Sequence, residues 1–126
     1  PENLLLVHAH AISWITQNLK KAEVDRYFIL YPNPYPKKRD LNKRWYAMPF
    51  MSKLVETLKM GGEIVVATNI SNYYLESKKW MQLNWGLELV DDKKIASSTG
   101  PLTHFEKKYL ERGETCYHLT FRKITK

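Results

Sequence analysis

Three prolines at every second position, Pro32, Pro34 and Pro36, follow directly on the apolar run Tyr27-Phe28-Ile29-Leu30-Tyr31. No other feature restricts the fold of this chain as tightly. Proline has a fixed φ and no amide hydrogen to give to a sheet ladder, so a strand entering this segment must end there. The run before it lacks polar alternation, which suits a strand covered on both faces, as in a parallel sheet. A strand is therefore expected over Tyr27 to Tyr31, with a stiff turn at its carboxyl end.

The turn hands over at once to Lys37, Lys38, Arg39, Lys43 and Arg44, set against Asp40 alone. The whole chain carries +7, so much of its excess charge sits here. That points to a polyanionic partner, nucleic acid before acidic lipid. Tyr31, Tyr35, Trp45 and Tyr46 bracket the cations, and aromatic stacking beside phosphate contacts is how single-stranded RNA is held. The plainer reading of such a run is a solvated face. The prolines lie two apart and lack P-x-x-P spacing, which argues against an SH3 ligand.

Elsewhere the pattern predicts a short buried strand over Leu4 to Val7 and a helix over Ala11 to Leu19. A second helix, about Pro49 to Leu58, has the core stripe Met51, Leu54, Val55 and Leu58, with Gly61-Gly62 as its stop. Ile64 to Thr68 reads as a third buried strand and about Ser71 to Trp85 as a third helix, closed by Gly86. Leu87 to Val90 is expected as a strand and residues 91–100 as a polar loop. Thr115 to Lys123 alternates, with Tyr117, Leu119 and Phe121 inward and His118, Thr120 and Arg122 outward. The sum is an α/β fold with a mostly parallel sheet and a terminal antiparallel strand pair. Ligands in such sheets bind beyond the carboxyl ends of the strands, here the proline turn and Thr68-Asn69.

One domain spanning 1–126 is expected from 126 residues. No apolar run is long enough to cross a bilayer and no signal-peptide pattern opens the chain. The single cysteine, Cys116, cannot form an internal disulfide, which favours a reducing, cytoplasmic setting; in its strand-like stretch it reads as a buried bystander. His8 and His10 share a strand end, but His104 and His118 are remote, so no metal-ligand spacing exists and no metal is expected. Five glycines are present and none forms G-x-G after a strand, the loop a dinucleotide or adenosyl cofactor usually needs. A chain opening on Pro1 reads as a processed or truncated one.

The segment "YPNPYPKKRDLNKR" resembles the tRNA (guanine-N7)-methyltransferase family, whose signature there is F/Y-P-D-P-W-P-K-K-R-H followed by a basic cluster. "LKMGGEIVVATN" is similar to the family's L-K-P-G-G-x-x-x-x-A-T-D, and "THFEKKYLERGETCYHLTF" to its T-x-F/Y-E segment and final strand. "NLLLVHAHAISWI" resembles the strand and helix around the family's D-A pair. The resemblance implies a partial Rossmann-like methyltransferase sheet and the carboxyl-terminal part of the domain, lacking its first two strands and glycine-rich cofactor loop. It implies S-adenosylmethionine as cofactor in the longer protein, weakly bound or not bound here, and tRNA as partner. His10 and Ala11 would meet the adenine, and Asn33 would be catalytic and close to the cofactor. Lys37 would contact the substrate, with Lys38 and the segment Arg39 to Arg44, including Lys43, on the RNA. Thr68, Asn69, Thr103, Phe105 and Glu106 would bind the substrate, with Glu106 also in a catalytic role.

His10, Asn33 and Asn69 stand where the resembled family has carboxylates. Methylation at N7 makes guanine cationic, and a carboxylate nearby stabilises that developing charge. Such a charge pair at about 4 Å is worth roughly 4 kcal/mol at an effective dielectric of 20, and its uncompensated loss would slow the step by about two to three orders of magnitude. Two functions follow: methylation of guanine N7 in tRNA, and a non-catalytic tRNA-binding relative. Without the two missing strands, Leu4 to Val7 would be a bare apolar edge, open to a homodimer contact.

Overall fold

The central strand of the molecule is the one that the proline strand leans on. The computed structural model describes residues 3–5, 7–96 and 103–125. In chain order these form α1 (Ala11–Asn18), β1 (Val24–Leu30), α2 (Met51–Thr57), β2 (Leu58–Thr68), α3 (Ser71–Leu83), β3 (Glu88–Ile95), α4 (His104–Glu111) and β4 (Cys116–Arg122). Two short 3-10 turns, Lys38–Lys43 and Trp45–Ala47, carry the cationic segment from β1 to α2. The four strands make one sheet in the order β1-β2-β4-β3.

β1 pairs parallel with β2, and β4 pairs antiparallel with both β2 and β3. Three strands thus point the same way and β4 runs against them. The α/β class holds, but the sheet is mixed, because the reversed strand is inserted between two parallel ones. β2 and β4 hold the core: Ile64, Val66, Leu119 and Phe121 are almost wholly buried, with Met51 and Leu54 of α2 and Met81 of α3 packed into the same cluster. The ring of Tyr74 on α3 stacks on Tyr117 with centroids 4.4 Å apart. His118 faces the other way and meets α4, so the two helices cover opposite faces of β4.

Several expected elements change. Residues 4, 5 and 7 form no strand, and Leu4, Leu5 and Val7 are exposed; no described strand pairs with them, so the expected homodimer contact through that strand loses its basis. β1 is covered on one face only. Ile29 is buried while Phe28 is 54% and Leu30 37% exposed. α2 stops at Thr57, ahead of the glycines, because Lys123 reaches in and donates from Nζ to Val55 O (2.7 Å) and Leu58 O (2.8 Å). A cation on these last carbonyls satisfies acceptors that the helix leaves open.

Gly61 and Gly62 instead lie inside β2. The pairing register jumps there, from Val24 opposite Leu58 to Arg26 opposite Glu63, and Gly61 takes φ +79° in the bulge. A Cβ on Gly62 would stand 2.8 Å from Lys59 O. β3 is longer than expected and takes up residues 91–95 of the predicted loop. Its polar Asp91-Asp92-Lys93-Lys94 suits an edge strand, where charge discourages further pairing. The rest of that loop, from residue 97, lies outside the described residues.

Candidate nucleic-acid and base-binding site

The proline turn starts under strain. Tyr31 takes φ +51° and Tyr35 φ +42°, each directly before a proline. Left-handed conformations at non-glycine residues cost about 1–3 kcal/mol each and persist only where surroundings hold them. Tyr31 N donates to Ala67 O at 2.7 Å, extending the β1–β2 ladder by one residue. Beyond it, Asn33 Oδ1 accepts from Tyr35 N at 3.1 Å, so the carboxamide folds back on its own turn.

A buried clasp holds the entry to this turn. The Tyr31 hydroxyl donates to Glu106 Oε2, and His118 Nε2 lies 2.6 Å from the same oxygen. Glu106 is fully buried on α4, where Thr103 caps the helix by accepting from Glu106 N at 3.0 Å. Burial, with Cys116 and Glu106 close by, pushes the Tyr31 phenol far above its ordinary range, so it stays a donor. Burial likewise pushes the Cys116 thiol up. Cys116 is a free, fully buried cysteine, as its strand-like setting implied.

A second clasp holds the exit. Arg44 donates from Nε to Tyr35 O (2.9 Å) and from NH1 to Glu76 Oε2 (2.8 Å) on α3, and the Tyr46 hydroxyl donates to that same oxygen. Burial, reinforced by Glu76, pushes the Tyr46 phenol up to about 12. Arg44 is therefore turned inward. Its guanidinium is committed to the turn and to α3, which makes it a poor candidate for the phosphate contact expected of it.

At the end of β2, Thr68 is buried and its hydroxyl accepts from Ile70 N at 3.1 Å. Asn69 donates from Nδ2 to Glu114 Oε1 at 3.0 Å. Glu114 N in turn donates to Tyr109 O, and the Tyr109 ring lies 5.3 Å from that of Tyr31. The two strand ends are thus joined through α4 and the approach to β4.

Of the other anticipated residues, Lys37, Lys38 and Arg39 are exposed. Lys43 pairs with Asp40 at 3.4 Å and sits over the Tyr35 ring. Phe105 is 60% exposed at the start of α4. His10 and Ala11 are exposed at the start of α1. The fold brings Glu106 to Tyr31, two residues before Asn33, and brings Thr103 to Glu106. The Asn33 carbonyl turns to Tyr35 N, and Asn69 turns to Glu114. Glu76 and Glu114 are organising groups that sequence reasoning missed, while Tyr31 and His118, read there as a stacking aromatic and an outward strand residue, both meet Glu106. The alternation of β4 places His118 on the face opposite Leu119, but nothing local says that α4 covers that face.

The adenosyl cofactor implied by the resemblance meets a partial fit. Ala11, Ile15, Phe28, Leu30 and Pro32 line one apolar cleft of about 270 Å³ beside the open face of β1. That lining suits an adenine ring. The cleft includes no carboxylate for ribose hydroxyls, so among the described residues it supplies the apolar part of such a site. Among the described residues no group of histidines, cysteines and carboxylates could hold a metal, and no helix is long and apolar enough to cross a membrane.

A family model of methyltransferases, Methyltransf_4, matches residues 1–119. The tRNA (guanine-N(7)-)-methyltransferase of Cereibacter sphaeroides is 30% identical over 94% of this chain and 49% of its own length. That of Acidithiobacillus ferrooxidans is 29% identical over 98% of this chain and 55% of its own. The chain spans about half the length of the curated relatives it matches. Among solved structures, a SAM dependent methyltransferase from Archaeoglobus fulgidus superposes with a TM-score of 0.54 at 15% identity, covering 97% of this chain and 69% of that one. An antibiotic related methyltransferase gives 0.56 at 17% identity, covering 81% and 53%. These two agree in fold. By the family match over nearly its whole length, the chain belongs to the methyltransferases, with tRNA (guanine-N(7)-)-methyltransferases as its similar curated relatives.

Proposed function

We propose that this chain supplies the RNA-facing half of an S-adenosylmethionine-dependent tRNA guanine-N7 methyltransferase. The observation that carries the reading is the joint between Tyr31 and Glu106. It ties the proline turn to the Thr103–Glu106 segment, two stretches far apart in sequence that both match the curated relatives' family. In this reading Lys37, Lys38, Arg39 and Lys43 take phosphates, and Arg44 keeps the segment in shape from inside. Thr68, Asn69, Thr103, Phe105 and Glu106 line or brace the place of the base, with Asn33 at its edge. His10 and Ala11 border the adenine side of the cofactor. A cytoplasmic, tRNA-modifying protein is the corresponding setting.

A second reading has a specific observation behind it. Asn33 and Asn69 are uncharged carboxamides, and both are held within the chain, Asn33 Oδ1 accepting from Tyr35 N and Asn69 Nδ2 donating to Glu114. This favours a tRNA-binding relative that no longer methylates. Asn33→Asp in the full-length protein separates the two. Under the first reading a radiolabelled methyl-transfer assay on tRNA gives a faster rate than the parent. Under the second, the new charge weakens tRNA binding and transfer stays at background. Absence of transfer by parent and variant alike removes the enzymatic reading.

A further inference from the structure

Two carboxylates stand at the carboxyl ends of β1 and β2, and they differ in what they can still do. Glu106 is fully buried, with Tyr31 and His118 on one oxygen. Glu114 keeps 38% of its side chain exposed. Its Oε1 accepts from Asn69 at 3.0 Å, its Oε2 lies 3.7 Å from Arg112 NH1, and its backbone is fixed to Tyr109. An ionised carboxylate has about four acceptor positions, so these contacts hold the group in place and leave it able to accept more. It is therefore oriented and reachable: Asn69 ties it to the end of β2, and its backbone bond to Tyr109, whose ring packs on Tyr31, ties it to the end of β1.

We propose that Glu114 is the base-receiving carboxylate of this site: it accepts N–H groups from the edge of a purine and favours the ring once methylation has made it cationic. The identity of that purine rests on the tRNA-methylating reading above; the placement of the carboxylate does not. Asn69 is then the positioning residue that orients Glu114, and Arg112 limits its swing from the other side. Electrostatics sets the sign. A partly exposed carboxylate attracts a cationic ring more than a neutral one, and solvent keeps the difference modest.

The test uses the full-length protein with guanosine 5′-monophosphate and 7-methylguanosine 5′-monophosphate as probes, by calorimetry, at a mildly acidic pH where the methylated ring is cationic. The parent should favour the methylated nucleotide by about fivefold. Glu114→Gln should abolish that preference, and the exchange Asn69→Asp with Glu114→Gln, which returns the charge to the neighbouring side chain, should recover most of it. Circular dichroism checks that both variants fold. An unchanged preference in Glu114→Gln overturns the proposal, as does failure of the parent to bind either nucleotide. Methyl transfer to tRNA measured in parallel keeps the two ideas apart. Transfer without any dependence on Glu114 sinks this proposal alone, while a Glu114-dependent preference without transfer sinks only the enzymatic reading.

Discussion

The cationic segment is held at both ends by the same device built from different partners. At its entry Tyr31 and His118 share Glu106; at its exit Tyr46 and Arg44 share Glu76. In each, a phenol donates to one carboxylate oxygen, and a nitrogen side chain meets that same oxygen. The entry clasp is sealed, with Glu106 fully buried and the His118 side chain 15% exposed. The exit clasp is half open, since the Glu76 side chain is 44% exposed and that of Arg44 11%. Sealing raises the cost of removing a partner, because an uncompensated group is then left without water. The guanidinium of Arg44 also presents several donors in a fixed fork and reaches Tyr35 O and Glu76 together. The entry clasp fixes where the strand stops; the exit clasp fixes the path of the cations.

This contrast is broken most directly by removing the carboxylates. Glu106→Ala should destabilise the fold by about 3–5 kcal/mol, since it strips a buried group of its partner, and Glu76→Ala by about 1–2 kcal/mol. Urea unfolding of both variants checks the order. Equal losses would mean that the two clasps are equivalent. Next in size, Arg44→Lys should cost about 1–2 kcal/mol despite keeping the charge, because an ammonium cannot serve Tyr35 O and Glu76 with the geometry of the guanidinium.

Alkaline pH should sharpen the comparison further. The Tyr46 phenol is raised from its ordinary 10.0 to about 12, and that of Tyr31 further still. Phenols protonated in the folded chain but ionised in the unfolded one contribute stability that is complete below about pH 10 and lost as pH rises through the folded values. Melting temperature should therefore fall between about pH 10 and 12, and Tyr46→Phe should flatten the part due to the exit clasp. The smallest effect on folding belongs to the middle of the segment. Lys37→Glu with Lys38→Glu should change stability by less than about 0.5 kcal/mol. It should nonetheless weaken tRNA binding, and the log–log salt slope should shrink by about 0.9 for each phosphate that the variant no longer neutralises.

Much of the fold was legible because it depends on local rules. Proline chemistry ended β1 where the sequence implied, and α3 and β4 follow their periods of 3.6 and 2. Boundaries set by distant partners were not legible. α2 ends before the glycines because Lys123, far along the chain, reaches its carbonyls. β3 reaches Ile95 because β4 offers a ladder opposite Cys116. At the site, the exposed cations Lys37, Lys38 and Arg39 follow the plain expectation for a charge run, a solvated face. Arg44 could not be told from its neighbours by type or spacing.

What the sequence determined by itself is therefore the stiff strand end, the concentration of positive charge beyond it, and the family to which those motifs belong. Each is a property of adjacent residues: ring closure at proline, summed charge, a short ordered pattern. The tertiary structure alone decided which of five similar cations turns inward, that Glu106 is sealed against Tyr31 and His118, and that Glu114 remains reachable beside Asn69. Those choices depend on burial, and whether a carboxylate is buried or reachable is set by elements packed against it from tens of residues away.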